Sequence, residues 1–180
     1  MTTVVHPGRF SADLGDEERV VFLIGMRINR LRALRAWLPV VVAMPRMLVE
    51  LQRHPELGLV DARTYVSGRT VLVVQYWRSV EQLQRFATDR DLPHLPAWRA
   101  FNRRSAGTGA VGIFHETYRV TPGSYETLYA DMPVHGLAHV GTHLRADAIG
   151  RTAAQRLART APHEPVVGGD AADPGANGRA

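Results

Sequence analysis

The sequence contains neither cysteine nor lysine. Without cysteine the chain cannot form a disulfide, bind a metal through thiolates or use a cysteine nucleophile, and this is compatible with the cytoplasm, where we expect the protein to be. All 22 basic residues are arginine, which raises the isoelectric point to about 10.4 because arginine does not titrate in range. These arginines are scattered among acidic residues and form no recognisable nucleic-acid motif, so the sequence predicts no nucleic-acid partner.

Long hydrophobic runs are also missing. The two most apolar runs near the N-terminus, residues 20–26 and 38–44, are short, and they are closed by Arg27 and by prolines. A helix that spans a bilayer needs roughly 20 apolar residues, so we expect a soluble protein with no membrane partner. The hydrophobic content of 45% is nevertheless ample for a packed core, and 180 residues fit one domain.

Three stretches rich in β-branched and aromatic residues predict β-strands. They are residues 19–30, 57–79 and 110–120. The middle stretch divides into two strands that form an antiparallel hairpin around Ser67 and Gly68. The sequence therefore predicts four strands.

Helical spacing of apolar residues separates these strands. Pro39 and Pro45 interrupt the first helical segment, which predicts a turn and then a helix from about Pro39 or Pro45 to His54. Ser79 is predicted to cap a second helix, and residues 96–103 are predicted to form a further one.

The order of these elements is β-α-β-β-α-β. It predicts an α+β protein with a ferredoxin-like split β-α-β-β-α-β fold, in which helices cover one face of an antiparallel sheet. The other face also needs a cover. A homodimer would supply it, and the alternative is a monomer in which the C-terminal tail supplies it.

The sequence predicts four consecutive regions. An N-terminal arm of residues 1–18, polar and loose, precedes the ferredoxin-like domain of residues 19–145. Near the end of that domain, residues 121–133 predict a turn and a short helix. Residues 146–160 form a possible helix, and the Pro-, Gly- and Ala-rich tail of residues 161–180 is predicted to be disordered.

An adjacent histidine and glutamate, His115 and Glu116, lie near the end of the last predicted strand. Neighbouring side chains of a regular strand point to opposite faces, so the two cannot form an acid–base pair unless a β-bulge intervenes. We expect Glu116 to meet an arginine, with Arg27 and Arg78 as candidates. His115 has two interpretations that stay open: a hydrogen-bonded structural histidine, or a base, donor or ligand in a pocket.

Two aromatic residues, Tyr76 and Trp77, end the predicted third strand on opposite faces. One of them would line a pocket beside Asn29 or Arg27, although aromatic residues at such positions more often belong to the core. A pocket with aromatic walls and a few polar groups is typical of a site for an apolar small molecule.

A second histidine, His94, lies between two prolines in the stretch "DLPHLPAW", with Trp98 four residues further on. The stiff backbone there could direct both side chains into a pocket, because loops on a rigid scaffold often carry function. The alternative is a surface histidine that caps a helix.

Three histidines recur at every fourth residue in "HGLAHVGTH": His135, His139 and His143. On a helix they would form one stripe able to bind a metal. Gly136 and Gly141 disfavour a stable helix and no carboxylate completes the set, so we expect a loop and no metal. The sequence also lacks a phosphate-binding glycine loop, a dinucleotide fingerprint and a GxSxG motif.

Four stretches together resemble a known family. They are "VVFLIGMRINRLRALRAWLPVVVAMPRML", "VVQYWRSVEQLQRFATD", "HLPAWRAFNR" and "VGIFHETYRVTPGSYETLYADMP". They are similar to a monooxygenase-like domain, formerly of unknown function, of the dimeric α/β-barrel superfamily of antibiotic-biosynthesis-monooxygenase type. The similarity spans about residues 19–140. It implies a ferredoxin-like subunit that pairs into a barrel and either oxidises aromatic or polyketide-like molecules without a prosthetic group or binds haem.

This resemblance and the residues above lead to one functional hypothesis. The chain would be a monooxygenase-like enzyme that oxidises an apolar aromatic or polyketide-like molecule in a pocket between helices and sheet, with either no cofactor or haem. The candidate catalytic residues are His115, His94 and Tyr118, and the candidate substrate-binding residues are Asn29, Arg27, Tyr76, Trp77, Trp98 and Glu116. The alternative is a non-catalytic accessory protein that binds a small molecule or haem.

Overall fold

The computed structural model describes residues 4–88 and 107–160. The strands in these ranges are β1 (His6–Asp13), β2 (Arg19–Ile28), β3 (Leu59–Ser67), β4 (Thr70–Trp77), β5 (Val111–Val120), β6 (Tyr129–Met132) and β7 (Thr142–Arg145). The α-helices are α1 (Leu34–Arg53), α2 (Val80–Thr88), α3 (Leu137–Val140), α4 (Ala146–Ile149) and α5 (Ala153–Arg159), and a 3-10 turn spans Pro55–Leu57.

Four of the strands form the larger sheet, in the order β3-β4-β2-β5, with every neighbouring pair antiparallel. Helix α1 connects β2 to β3, and α2 follows β4. The structure thus confirms the predicted α+β, ferredoxin-like fold and the hairpin around Ser67 and Gly68. Ser79 caps α2 as predicted, since its Oγ accepts from the backbone N–H of Gln82 at 3.2 Å.

The main core lies between this sheet and α1 and α2. Val20 of β2 and Trp77 of β4 face each other across the strands, and both are fully buried. Leu51 of α1 and Phe86 of α2 pack against them. The indole N–H of Trp77 donates to the side-chain oxygen of the buried Gln75 at 2.9 Å, so a polar pair lies within an otherwise apolar cluster.

This buried pair gives a stability test. We expect Gln75→Leu to lower the free energy of unfolding by about 1–3 kcal/mol, because the buried Trp77 N–H loses its acceptor. Urea denaturation measures the change. The double variant Gln75→Leu/Trp77→Phe should lose less than the sum of its two single variants, and strict additivity would show that the hydrogen bond contributes nothing.

Helix α1 differs from its prediction. It begins at Leu34 and continues to Arg53 through Pro39 and Pro45, so the predicted turn before a helix that starts at one of these prolines is wrong. Both prolines are exposed, so water can bond the carbonyl groups that each proline leaves without a helical donor. Burial of Leu51, with Met47 beside it, anchors the helix on the core.

The remaining strands form a second antiparallel sheet in the order β6-β1-β7. Residues 1–18 therefore contain a strand where the sequence predicted a loose arm. Residues 121–133 contain a turn and then β6, so the predicted short helix there is wrong. Pairing with β1, more than 100 residues earlier in the chain, stabilises β6, and the local pattern does not reveal such a partner.

Residues 146–160 are helical in two pieces, α4 and α5, which Gly150 separates. Thr152 and Gln155 form a capping box at the start of α5. The buried guanidinium of Arg156 donates from Nε to the carboxylate of Glu126 at 2.6 Å, which ties α5 to the chain before β6. The predicted disordered tail, residues 161–180, lies outside the described residues.

The second sheet packs against the face of the larger sheet that α1 and α2 leave uncovered. Leu14, Tyr125 and Val140 form a small buried cluster, and Tyr76 and Val120 of the larger sheet pack against it. Part of that face is therefore covered by the chain itself. Within the ranges that the structure describes, no helix is both long and apolar enough to cross a membrane.

Candidate functional site

His115 and Glu116 lie on opposite faces of β5, as predicted. His115 is paired with Ile24 of β2 and faces the helices, whereas Glu116 is paired with Leu23 and faces away from them. The imidazole of His115 is exposed, and its centroid lies 5.8 Å from the ring centroid of Phe22. The two side chains cannot exchange a proton directly, because the sheet separates them.

Glu116 accepts a hydrogen bond from the hydroxyl of Tyr118, two residues further along the same face. This bond to the carboxylate raises the pKa of Tyr118 above its ordinary value. Arg27 and Arg78, the predicted partners, do not pair with Glu116 within the chain. Arg27 is paired with Gly112, four residues from Glu116, and Arg78 donates to the carbonyl of Pro55 at 3.3 Å.

The other predicted site residues do not gather around His115. Trp77 is fully buried in the core, 5.5 Å from Phe86 between ring centroids. Tyr76 lies on the opposite face, where burial raises its pKa to about 12. Asn29 lies beside Gly112, whose Cβ would be 3.7 Å from the Asn29 amide nitrogen.

Several of the predicted residues therefore lie on the other side of the sheet from His115. Tyr118, Glu116, Tyr76 and Arg27 occupy the face that points away from α1 and α2. His94 and Trp98, together with the helix predicted for residues 96–103, lie outside the described residues.

The histidines of "HGLAHVGTH" contact three different neighbours, because the segment forms α3 and β7 and not the predicted loop. His135 Nε2 lies 2.9 Å from the hydroxyl of Tyr65, and His139 Nε2 lies 3.9 Å from Asp61. His143 stacks on Phe10. Among the described residues, no group of three or more His, Asp or Glu side chains is placed to hold a metal ion.

Sequence reasoning identified these histidines but missed their partners on β3. Asp61 and Tyr65 lie four residues apart on one face of the strand, so both point towards the segment that carries His135 and His139. Gly136 has φ of +59°, and a Cβ there would lie 3.1 Å from the Tyr129 hydroxyl and 3.3 Å from that of Tyr76. The alternation of side chains along β3 was the only sequence signal that Asp61 and Tyr65 lie on the same face.

His143 packs against two aromatic rings. Its ring centroid lies 4.4 Å from that of Phe10 and 5.1 Å from that of His6, and its buried Nε2 has no hydrogen-bond partner. Burial, and then the neighbouring His6, lower the pKa of His143 below its ordinary value. The folded protein therefore favours the neutral imidazole.

This lowered pKa predicts acid sensitivity. The unfolded chain binds a proton at His143 more readily than the folded chain, so the stability present above pH 6.5 should decrease as the pH falls below that value. Denaturation curves between about pH 7.5 and pH 5 measure the change. His143→Phe, which keeps a ring against Phe10, should reduce the slope, whereas His139→Gln should retain it; equal slopes for wild type and His143→Phe would contradict the assignment.

A groove of about 430 Å³ lies where the two sheets meet. It is lined by residues 13–15, 17, 19, 140–142 and 144. Arg19 lines the groove and donates to the carboxylate of Glu17, which neutralises the charge of its guanidinium. None of the residues predicted from the sequence lies in this groove.

Comparison with known proteins assigns the chain to a family. The model of the family described as monooxygenase af470-like matches residues 19–137. A curated relative, monooxygenase af470 of Aspergillus fumigatus, is 29% identical over 143 residues, which cover 72% of this chain and 50% of the relative. The chain thus spans about half the length of this relative.

Two solved structures resemble the fold. An aldoxime dehydratase crystallised with butyraldoxime is 17% identical and has a TM-score of 0.54, with 90% of this chain and 46% of that chain covered. SnoaB, a cofactor-independent oxygenase from Streptomyces nogalater, is 14% identical and has a TM-score of 0.40, with 56% and 91% covered. The match of the family model over residues 19–137 shows that the chain belongs to the monooxygenase af470-like family.

Proposed function

We propose that the protein is a monooxygenase that oxidises an apolar aromatic or polyketide-like molecule between the helices and the larger sheet. The observation that carries the proposal is the position of His115, which combines an exposed imidazole with the apolar side chains of the helix-facing surface. Family membership and the relative's name support the reaction class.

The surroundings of His115 suit an apolar substrate. Phe22 lies beside the imidazole, and Ile24 and Ile113 lie on the same face of the sheet. Arg119, four residues along β5, donates from Nε and Nη2 to the carboxylate of Glu18 at 3.1 and 2.9 Å. Arginine cannot act as a base, so the imidazole of His115 is the group on this face of β5 that can take a proton from a substrate.

His115 would act as a general base. It would remove a C–H proton next to the ring system of an electron-rich phenol or enol, and the resulting carbanion would react with O₂ to form one C–O bond. Reprotonation would give a hydroperoxide, and loss of water from it would leave a carbonyl group. A CH₂ group and O₂ thus become C=O and H₂O, with O₂ as the oxidant.

Oxygen consumption tests this role. With a hydroxylated anthrone as probe, His115→Ala and His115→Gln should each lower the rate by about 10²–10⁴-fold, because neither side chain can take the proton. Glu116→Gln is the matched control, since it removes a charge one residue away on the opposite face. If both His115 variants consume oxygen at the wild-type rate, the proposal is wrong.

The visible absorbance spectrum separates the cofactor-free reaction from a haem protein. An active, colourless protein supports oxidation without a prosthetic group. A Soret band that is lost in His115→Ala would instead indicate that His115 is an axial ligand of haem, as the alternative prediction requires.

We also propose that a second copy of the chain covers the exposed part of the face that carries Glu116. Phe114, Tyr118 and Tyr65 are 38–50% exposed there, which leaves aromatic surface in water. The Phe114 ring lies across Gly25, whose Cβ would be 2.3 Å from it, so the ring lies flat against the sheet. A flat aromatic surface suits the isologous contact of a homodimer.

Light scattering after size exclusion tests this contact. Phe114→Asp should convert a dimer to a monomer, because it would bury two unpaired carboxylates across the two-fold axis. Val66→Asp is the control, since Val66 is 71% exposed on the other face. A wild-type monomer, or a Phe114→Asp dimer, would contradict the proposal.

A further inference from the structure

We propose that α1 lies on the surface of an anionic lipid bilayer through an exposed stripe of aliphatic side chains. This attachment is independent of the proposed oxidation. The absence of a membrane partner was predicted from the lack of a spanning segment, and a helix that lies in the plane of the interface needs no such segment.

The α1 stripe consists of Leu31, just before the helix, and Leu34, Leu38, Val42 and Val49 within it. Each of these side chains is 43–55% exposed. The four helical positions fall within about 80° of the helix circumference, so they form one continuous surface. Folding normally buries such a stripe, yet Leu51, on a different side, is the one residue of α1 that is fully buried.

Arginines lie at the start of this stripe and along one of its edges. Arg30 and Arg32 flank Leu31, and Arg35, Arg46 and Arg53 lie along one edge of the stripe on the helix, all of them exposed. The chain contains no acidic residue between Arg19 and Glu50. The surface is therefore apolar and positively charged at once.

These arginines have no ionic partners among the described residues. The ion pairs of the described residues involve other arginines and histidines. Glu50, the acidic residue on α1, pairs with His54 at 3.3 Å. An anionic surface would supply the missing charges, while the long arginine side chains reach from the apolar layer to the lipid headgroups.

The shape of the stripe favours a bilayer over a protein partner. It is the convex surface of one helix and carries only aliphatic side chains. Protein interfaces usually centre on large anchors, such as tryptophan and tyrosine, that fill pockets in the partner, whereas a bilayer needs only apolar area beside positive charge. The inner side of α1 packs on the core through Met47 and Leu51, so attachment would place the helix-facing surface of the sheet next to the membrane.

Vesicle flotation tests the attachment. Phosphatidylcholine vesicles with about 30% phosphatidylglycerol should carry the full-length protein upwards in a density gradient at about 0.1 M NaCl. Pure phosphatidylcholine vesicles should carry much less of it, and about 0.5 M NaCl should release it from the anionic vesicles because salt screens the arginines. A wild-type protein that does not float with the anionic vesicles overturns the proposal.

Variants locate the contact. Leu38→Asp/Val42→Asp should weaken partitioning at least about tenfold, because burial of each aliphatic side chain contributes roughly a factor of ten. Leu157→Asp is the matched control, since Leu157 is an equally exposed leucine (42%) on α5, and it should bind as the wild type does. Arg30→Ser/Arg32→Ser/Arg35→Ser should remove most of the preference for the anionic vesicles.

Circular dichroism checks that each variant is folded. If Leu38→Asp/Val42→Asp does not fold, Leu38→Ser/Val42→Ser takes its place. Two results would overturn the proposal: stripe variants that float like the wild type, or stripe variants that bind less only because a dimer has dissociated in light scattering. The second result would assign the α1 stripe to a contact between copies of the chain.

Discussion

The backbone pairing of β2 determines where the side chains of its neighbours lie. This strand is hydrogen-bonded along its length to β4 on one side and to β5 on the other. Because side chains alternate along each strand, the register of β2 fixes the face of every residue in all three. A slip of one residue in β5 would exchange His115 with Glu116 and bring the aromatic side chains of Phe114 and Tyr118 into the helical layer.

The two faces of the larger sheet are covered in different ways. On one face, α1 and α2 close over a cluster around Trp77, which holds an internal hydrogen bond with Gln75. On the other, the N-terminal strand and the C-terminal third of the described chain supply a small second sheet. That second sheet depends on contacts between distant residues, such as the hydrogen bond from the Leu14 N–H to the Tyr125 hydroxyl at 2.8 Å.

Helix α1 combines features that are usually separate. It carries two internal prolines, buries little of its length and exposes aliphatic side chains beside arginines. For a helix that served only to cover the core, the prolines would cost stability and the stripe would be an aggregation hazard. The exposed stripe fits the proposed contact with a lipid surface, whereas the two prolines are tolerated because both lie on the exposed side of the helix.

The sequence by itself determined the ferredoxin-like order of elements and the separation of His115 from Glu116. Both follow from local periodicity, since alternation and helical spacing are properties of neighbouring residues. It could not reveal that Tyr118, and not an arginine, binds Glu116, because the choice depends on which side chains the register brings within reach.

Only the tertiary structure decided how the chain ends are used. Strand β1 looked like a loose arm because its partners, β6 and β7, lie more than 100 residues away and its own pattern is weak. The same holds for His143, whose enclosure by Phe10 and His6 depends on that distant pairing. The sequence carries the preference of each residue for its immediate neighbours, whereas long-range pairing is selected by the free energy of the whole fold.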